Sequence, residues 1–157
     1  GICRGMQEMM VAFGGALETL NTDINHAKGY EAVREDGSRC FETMDRLIHP
    51  IEIVPGGLLD DIYDRKTFLV NSIHMQGVTR DFWEHDRNKD IREVFRIEAI
   101  APDGVIEAIS THPVHEKRFF VGLQAHFELH GPLQISIFTS FRRKIRDYAA
   151  EKQDASA

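Results

Sequence analysis

The sequence predicts a mixed α/β domain, on three observations. A cysteine flanked by glycines, "GICRG", runs straight into apolar residues at helical spacing. Two alternating runs around Pro102-Asp103-Gly104 have the pattern of a β-hairpin. Near the far end Leu133, Ile137, Phe138, Phe141, Ile145 and Tyr148 fall on one face of a long helix, with a polar tail behind them.

In chain order, Met6, Met9, Met10 and Phe13 give a helix from Arg4, which Gly14-Gly15 should stop. Residues 16–45 are mixed and charged, with weak periodicity, and predict a meandering loop region. "HPIEIVPGG" predicts a short strand from Ile51 to Val54, ended by Pro55 and two glycines that form a turn. "LLDDIYD" supplies one or two helical turns, and "KTFLVNS" a strand. "TRDFWEHDRNKDIRE" carries charge of both signs and predicts a solvated insertion over 79–93, with Trp83 on an exposed loop. The hairpin follows, then "FFVGLQ" as a further strand. No repeat, low-complexity segment or linker interrupts the 157 residues, so one domain over 1–157 is expected.

Hydrophobic residues make up 42% and charged residues 28%, ordinary proportions for a globular domain. A formal net charge of −6 offers no basic footprint, so neither nucleic acid nor an anionic membrane is an expected partner. No apolar run approaches the length of a bilayer span. Two cysteines, Cys3 and Cys40, with no CxxC pair, make no disulfide framework and suit a reducing cytoplasm. Only Gly1 and Ile2 precede the cysteine turn, where a strand should lead in. The chain therefore reads as the later part of a longer domain or as a processed chain; either residues precede it or its open sheet edge pairs with a partner, such as a second copy in a homo-oligomer.

The chemistry begins at Cys3. The thiolate is the nucleophile, and a free cysteine titrates near ~8.5. Unpaired N–H groups and the positive end of the dipole at a helix start favour the thiolate. A G-x-C-x-G turn keeps the sulfur accessible and is the cysteine counterpart of the G-x-S-x-G elbow. Such a nucleophile needs a base, and the base an orienting group. In "VGLQAHFEL", His126 and Glu128 lie two residues apart, just after a strand, so in extended backbone both point to one side.

These segments, "GICRGMQ", "VNSIHMQGV", "PDGVIEAI" and "VGLQAHFE" in that order, resemble the class I glutamine amidotransferase superfamily. Within it they are most similar to the γ-glutamyl-γ-aminobutyrate hydrolase branch, over Gly1 to about Ala150. The resemblance implies a flavodoxin-like, doubly wound, mostly parallel sheet with helices on both faces. It implies a catalytic triad of Cys3, His126 and Glu128, with the backbone N–H of Arg4 as one oxyanion donor. It places Gln7, Ser72 and His74 on the γ-glutamyl substrate and requires no cofactor. Ala125 and Phe127 stand where the family usually has Trp and Pro, a departure at the wall of the pocket.

Other constellations carry less. His112-x-x-His115 and His126-x₃-His130 have spacings that metal ligands use, but no Cys pair or H-E-x-x-H order accompanies them, so no metal is expected. "FRRKIR" predicts a solvated helix face. The leading function is a hydrolase acting on a small-molecule γ-glutamyl amide through a cysteine thioester. The alternatives are a glutaminase subunit supplying ammonia to a synthetase, and a non-catalytic interaction protein.

Overall fold

The computed structural model describes residues 1–28, 36–38, 44–112, 119–129 and 131–154. In chain order its elements are α1 (Arg4–Ala12), β1 (Glu18–Thr19), β2 (His49–Ile53), α2 (Leu58–Ile62), β3 (Thr67–Val70) and β4 (Gln76–Gly77). They continue with α3 (Arg80–Glu84), a 3-10 turn at Asp86–Asn88, α4 (Lys89–Val94), β5 (Phe95–Ile100) and β6 (Ile106–Thr111). β7 (Val121–Leu123), a 3-10 turn at Phe127–Leu129 and α5 (Gly131–Asp154) complete the order. Cys40, His115 and His130 lie outside the described residues.

The α/β class is as expected, but the strand direction is not. The five-stranded sheet, ordered β3-β2-β5-β6-β7, is antiparallel at every pairing rather than mostly parallel. The connections explain this: residues 101–105 link β5 to β6 and 112–120 link β6 to β7, each shorter than the roughly dozen residues a parallel crossover needs. The predicted hairpin is β5–β6, with Gly104 at φ 86° in its turn. The parallel contact is at the edge, where Ile2 bridges to Leu123. β1 and β4 form a separate two-stranded ladder.

Helices cover both faces. On one, Met6 and Met10 of α1 pack with Trp83, Ile91, Phe95, Ile106 and Ile109. On the other, Leu59 of α2 and Ile137 of α5 pack on Ile51, Val70, Ala108, Leu123 and Phe127. The 79–93 stretch is therefore not a solvated insertion. It forms α3 and α4, with Trp83 4% and Ile91 0% exposed in the core. Its charges hid that inward face because both helices are too short to display a period. The apolar face of α5 is less buried than predicted: Ile137 packs inward, while Phe138, Phe141 and Ile145 remain exposed. The side chains of Leu133 and Tyr148 lie outside the described set.

The sheet contains two irregularities that matter below. The β5–β6 register pairs Ile97 with Ile109, Ala99 with Ala108 and Ile100 with Ile106. It thus skips Glu98 on β5 and Glu107 on β6, and a bulge of this kind re-aims the skipped side chain. Both glutamates are 0% exposed. Glu98 accepts from the Leu59 N–H at 2.9 Å, capping α2, and from Ser110 Oγ at 2.6 Å. Arg96 Nε stands 3.2 Å from it. Among the described residues no helix is long and apolar enough to cross a membrane.

A methyl group at Gly57 would lie 2.3 Å from Glu98 Oε2, against a carboxylate already held by three partners. Gly57→Ala is expected to lower stability by about 1–3 kcal/mol in urea denaturation. Gly5→Ala meets nothing within 4 Å at a helical position, and should be neutral or stabilising in the same measurement.

Candidate active site

Cys3 stands at the N-cap of α1 with φ 48° and ψ −110°, the one non-glycine residue at positive φ among the described residues. Such a conformation costs on the order of 1–3 kcal/mol and survives only where neighbours over-determine it. Here the Cys3 N–H donates to Leu123 O at 2.7 Å, and the Leu123 N–H donates to Gly1 O at 2.9 Å. The Cys3 carbonyl accepts from the Met6 and Gln7 N–H groups at 3.0 and 3.2 Å, which starts the helix. A Cβ on Gly1 would meet Gly5 O at 2.5 Å, so the tightness of the elbow requires that glycine. Gly5 itself faces open space, so the expected steric relief operates at Gly1 and not at Gly5.

The sulfur is half-buried. Burial pushes the Cys3 thiol up; the Arg4 amide opposes this, and the charges of Glu107 and Glu128 add to it. The helix start therefore does not make Cys3 a ready thiolate, contrary to the sequence expectation, because burial outweighs the Arg4 and Gln124 donors. Gln124 Nε2 donates to Sγ at 3.6 Å.

His126 and Glu128 form the predicted pair, with Nδ1 2.5 Å from Oε1. That contact directs Nδ1–H to the carboxylate and leaves Nε2 as the nitrogen able to take a proton. His126 follows Leu123 by three residues, and the elbow is hydrogen-bonded to Leu123, so the two residues stand at the same end of β7. Among the described residues no hydrogen bond joins His126 to Cys3; the sulfur's side-chain partner is Gln124. The loop carrying His126 is held by Asn71, which is 0% exposed. Asn71 Oδ1 accepts from the His126 N–H at 2.8 Å, and its Nδ2 donates to Met44 O at 2.8 Å.

Gln7, Ser72 and His74 are all buried. Gln7 Nε2 donates to Gln76 O at 2.7 Å and to Gln124 Oε1 at 3.1 Å, tying α1 to the residue on the sulfur. Ser72 Oγ lies 3.1 Å from His26 Nδ1, and His74 Nδ1 donates to Gln76 O at 3.1 Å. Ser72 and His74 thus join a buried cluster with His26, His49, Asp103 and Glu107 that sequence reasoning missed. Burial would push Glu107 up, but His26 and His74 outweigh it and hold the carboxyl at about 2. Burial also opposes His26, yet Glu107 and Asp103 raise it, whereas burial keeps His49 low. The histidines come from separate segments, and simple alternation along β6 does not anticipate where the bulge aims Glu107. The spatial cluster therefore leaves no local spacing to read.

An apolar groove of about 380 Å³ lies beside Gly1 and Ile2, between α2, α5 and β7. Its lining includes none of Cys3, His126 or Glu128, so it is not where the thiol chemistry would occur.

Two measurements check this site. Because the thiol is pushed up, iodoacetamide labelling of Cys3 followed against pH should have its midpoint above that of a free cysteine. A midpoint below it would show that His126 already stabilises the thiolate. Asn71→Ala orphans a buried N–H and a carbonyl, and is expected to cost about 1–3 kcal/mol in denaturant unfolding.

Residues 1–128 match the family model of peptidase C26. The γ-glutamyl-γ-aminobutyrate hydrolase PuuD of Escherichia coli strain K12 is 32% identical over 158 aligned positions, covering 97% of this chain and 55% of that protein. Protein NtpR of Enterococcus hirae is 31% identical over 129 positions, covering 82% of this chain and 46% of its own. A crystal structure from Thermoplasma acidophilum, described as a GMP synthase component, superposes with a TM-score of 0.56 at 14% identity. It covers 100% of this chain and 60% of that one, which shows a shared fold. The chain spans about half the length of the curated relatives it matches. With the family match running from the elbow through Glu128, this chain belongs to the peptidase C26 family.

Proposed function

We propose that this chain carries the nucleophile, base and orienting carboxylate of a hydrolase that cleaves γ-glutamyl amides of small amines. The observation that carries the reading is the strained Cys3 elbow, hydrogen-bonded to the strand that leads into the His126–Glu128 pair. Similarity to a γ-glutamyl-γ-aminobutyrate hydrolase supports the substrate class.

In the proposed reaction the γ-carbonyl of the substrate sits above the first turn of α1. His126 Nε2 takes the Cys3 proton as sulfur attacks the carbonyl carbon, so a neutral resting thiol is a workable start. Negative charge gathers on the carbonyl oxygen, where the Arg4 N–H is one donor. The C–N bond breaks as imidazolium returns the proton to the departing amine, leaving a γ-glutamyl thioester on Cys3. Water, deprotonated by the same imidazole, then attacks the thioester; glutamate leaves and the thiol is restored. Glu128 holds the ring tautomer and balances the imidazolium. The Gln124 amide must give way at the sulfur for His126 to approach, a tightening that substrate binding commonly brings. Gln7 is assigned to the glutamyl side of the pocket, while Ser72 and His74, expected there, are buried against His26 and Gln76 and would support that wall from behind; no cofactor enters any step.

A second reading, a glutaminase feeding ammonia to a synthetase, shares the first half of this chemistry. It is supported by 26% identity to the CTP synthase of Gluconobacter oxydans over 82% of this chain. Comparing glutamate release from γ-glutamyl-γ-aminobutyrate and from glutamine separates the two. The hydrolase reading expects the former to be preferred by kcat/KM. Cys3→Ala should abolish release, and His126→Ala should cost about 10²–10⁴ in rate. Glutamate release that survives Cys3→Ala overturns Cys3 as the nucleophile of both readings, and release from neither compound overturns both in favour of a non-catalytic role.

A further inference from the structure

Behind the elbow, three imidazoles converge on one carboxylate oxygen. Glu107 Oε1 stands 3.4 Å from His26 Nδ1, 3.6 Å from His49 Nε2 and 3.6 Å from His74 Nε2. All four residues are at most 4% exposed. In each ring the other nitrogen is committed: His26 Nε2 to Asp103 Oδ2 at 2.9 Å, His49 Nδ1 to Pro50 O at 3.0 Å, and His74 Nδ1 to Gln76 O at 3.1 Å. A carbonyl or carboxylate only accepts, so these outer nitrogens carry the hydrogens. In a neutral ring the inward nitrogen is then a bare lone pair.

With all three rings neutral, three lone pairs would face an acceptor-only oxygen, an arrangement that shared protons or a cation must relieve. His49 Nε2, His74 Nε2 and both carboxylate oxygens of Glu107 are buried with no hydrogen-bond partner. Leaving such groups unsatisfied costs about 1–3 kcal/mol each, and more when charged. A cation among His26 Nδ1, His74 Nε2 and one Glu107 oxygen would satisfy those inward atoms. The separations fit one: two donors about 2.0–2.1 Å from zinc, a tetrahedral angle apart, lie about 3.4 Å from each other. The donor atoms of His26, His74 and Glu107 fall within 4.8 Å of one another. Outer acceptors on each ring are the arrangement that orients histidine ligands on metals. Charge also balances, since a divalent ion meets one carboxylate ligand in Glu107 and a second carboxylate in Asp103 behind His26.

We propose that His26, His74 and Glu107 hold a structural zinc ion beneath the Cys3 elbow, with His49 beside the same carboxylate. Imidazole and carboxylate donors suit zinc, and ligands with almost no solvent access suit a structural rather than a catalytic ion. Only the lone pair of His26 Nδ1 must be released from an existing partner, the Ser72 hydroxyl at 3.1 Å. The ion would pin β6, the segment before β4 and the loop at residue 26 to one point. From there the His74–Gln76–Gln7–Gln124 hydrogen bonds lead to the Cys3 sulfur. The site does not depend on the hydrolase reading.

The test is zinc binding to the purified protein after chelator treatment, with a chromophoric competitor, alongside thermal unfolding. The expected result is one equivalent bound and a Tm that rises with zinc, as for any ligand that binds the native state. Cobalt in place of zinc should give visible absorption from an N/O ligand set. Asp103→Asn, at the outer nitrogen of His26 and away from the ligand atoms, should weaken binding about 10–100-fold. Glu107→Gln should weaken it further, and His85→Ala, on the surface, should leave it unchanged. Failure to bind one equivalent, or a wild-type Tm indifferent to zinc, overturns the proposal without reliance on any variant. Equal affinity in wild type and Glu107→Gln overturns it as well, and would leave shared protons as what joins the cluster.

Discussion

The structure of the site depends on one short parallel pairing, residues 1–3 along β7. Two backbone hydrogen bonds between Gly1, Cys3 and Leu123 fix it. They hold Cys3 in a backbone conformation that an L-residue otherwise avoids, and they place α1 with its first turn under the sulfur. The same strand runs on to Gln124, which donates to the sulfur, and to His126, which holds Glu128. Cys3, Gln124 and His126 are thus positioned by one ladder, so their relative placement is set by backbone rather than by long side chains. Gly122 allows this closeness, because a Cβ there would meet Met6 Cγ at 2.7 Å and Ile109 Cγ1 at 2.9 Å.

The second constraint is the pair of bulges in β5–β6. A regular hairpin would send alternate side chains to each face, and a glutamate would then be expected on a wet one. By skipping Glu98 and Glu107 the register buries both carboxylates. Each then gathers polar groups from elsewhere in the chain. Glu98 caps α2 and braces the 55–57 turn through Arg96, whose Nη1 donates to Gly56 O at 2.7 Å. Glu107 collects three histidines from three separate segments of the chain. Isolated buried carboxylates are costly, and both survive because partners surround them.

These buried charges bear on the thiol. The helix start and the Arg4 amide favour a thiolate, while burial and the negative charges of Glu107 and Glu128 disfavour it. The balance leaves a neutral sulfur. The Asn71 clamp on the His126 backbone keeps the base within the same rigid frame while its side chain remains partly exposed.

Much of this was legible in the sequence because it is local. The elbow is set by a glycine two residues before Cys3 and a helical period after it, the hairpin by Pro102-Asp103-Gly104, and the His126–Glu128 pair by a two-residue spacing. The long C-terminal helix was equally readable from its apolar period, though not how little of that face the sheet would cover. Tertiary structure decided the rest. Strand direction depends on connection lengths acting together, and α3 and α4 turn inward because Trp83 and Ile91 find a core cluster that their charged neighbours conceal. The cluster at Glu107 draws on residues 26, 49, 74 and 107, each unremarkable where it stands in the chain. Two bulges and the crossing of four segments bring them together, and local periodicity contains no record of either.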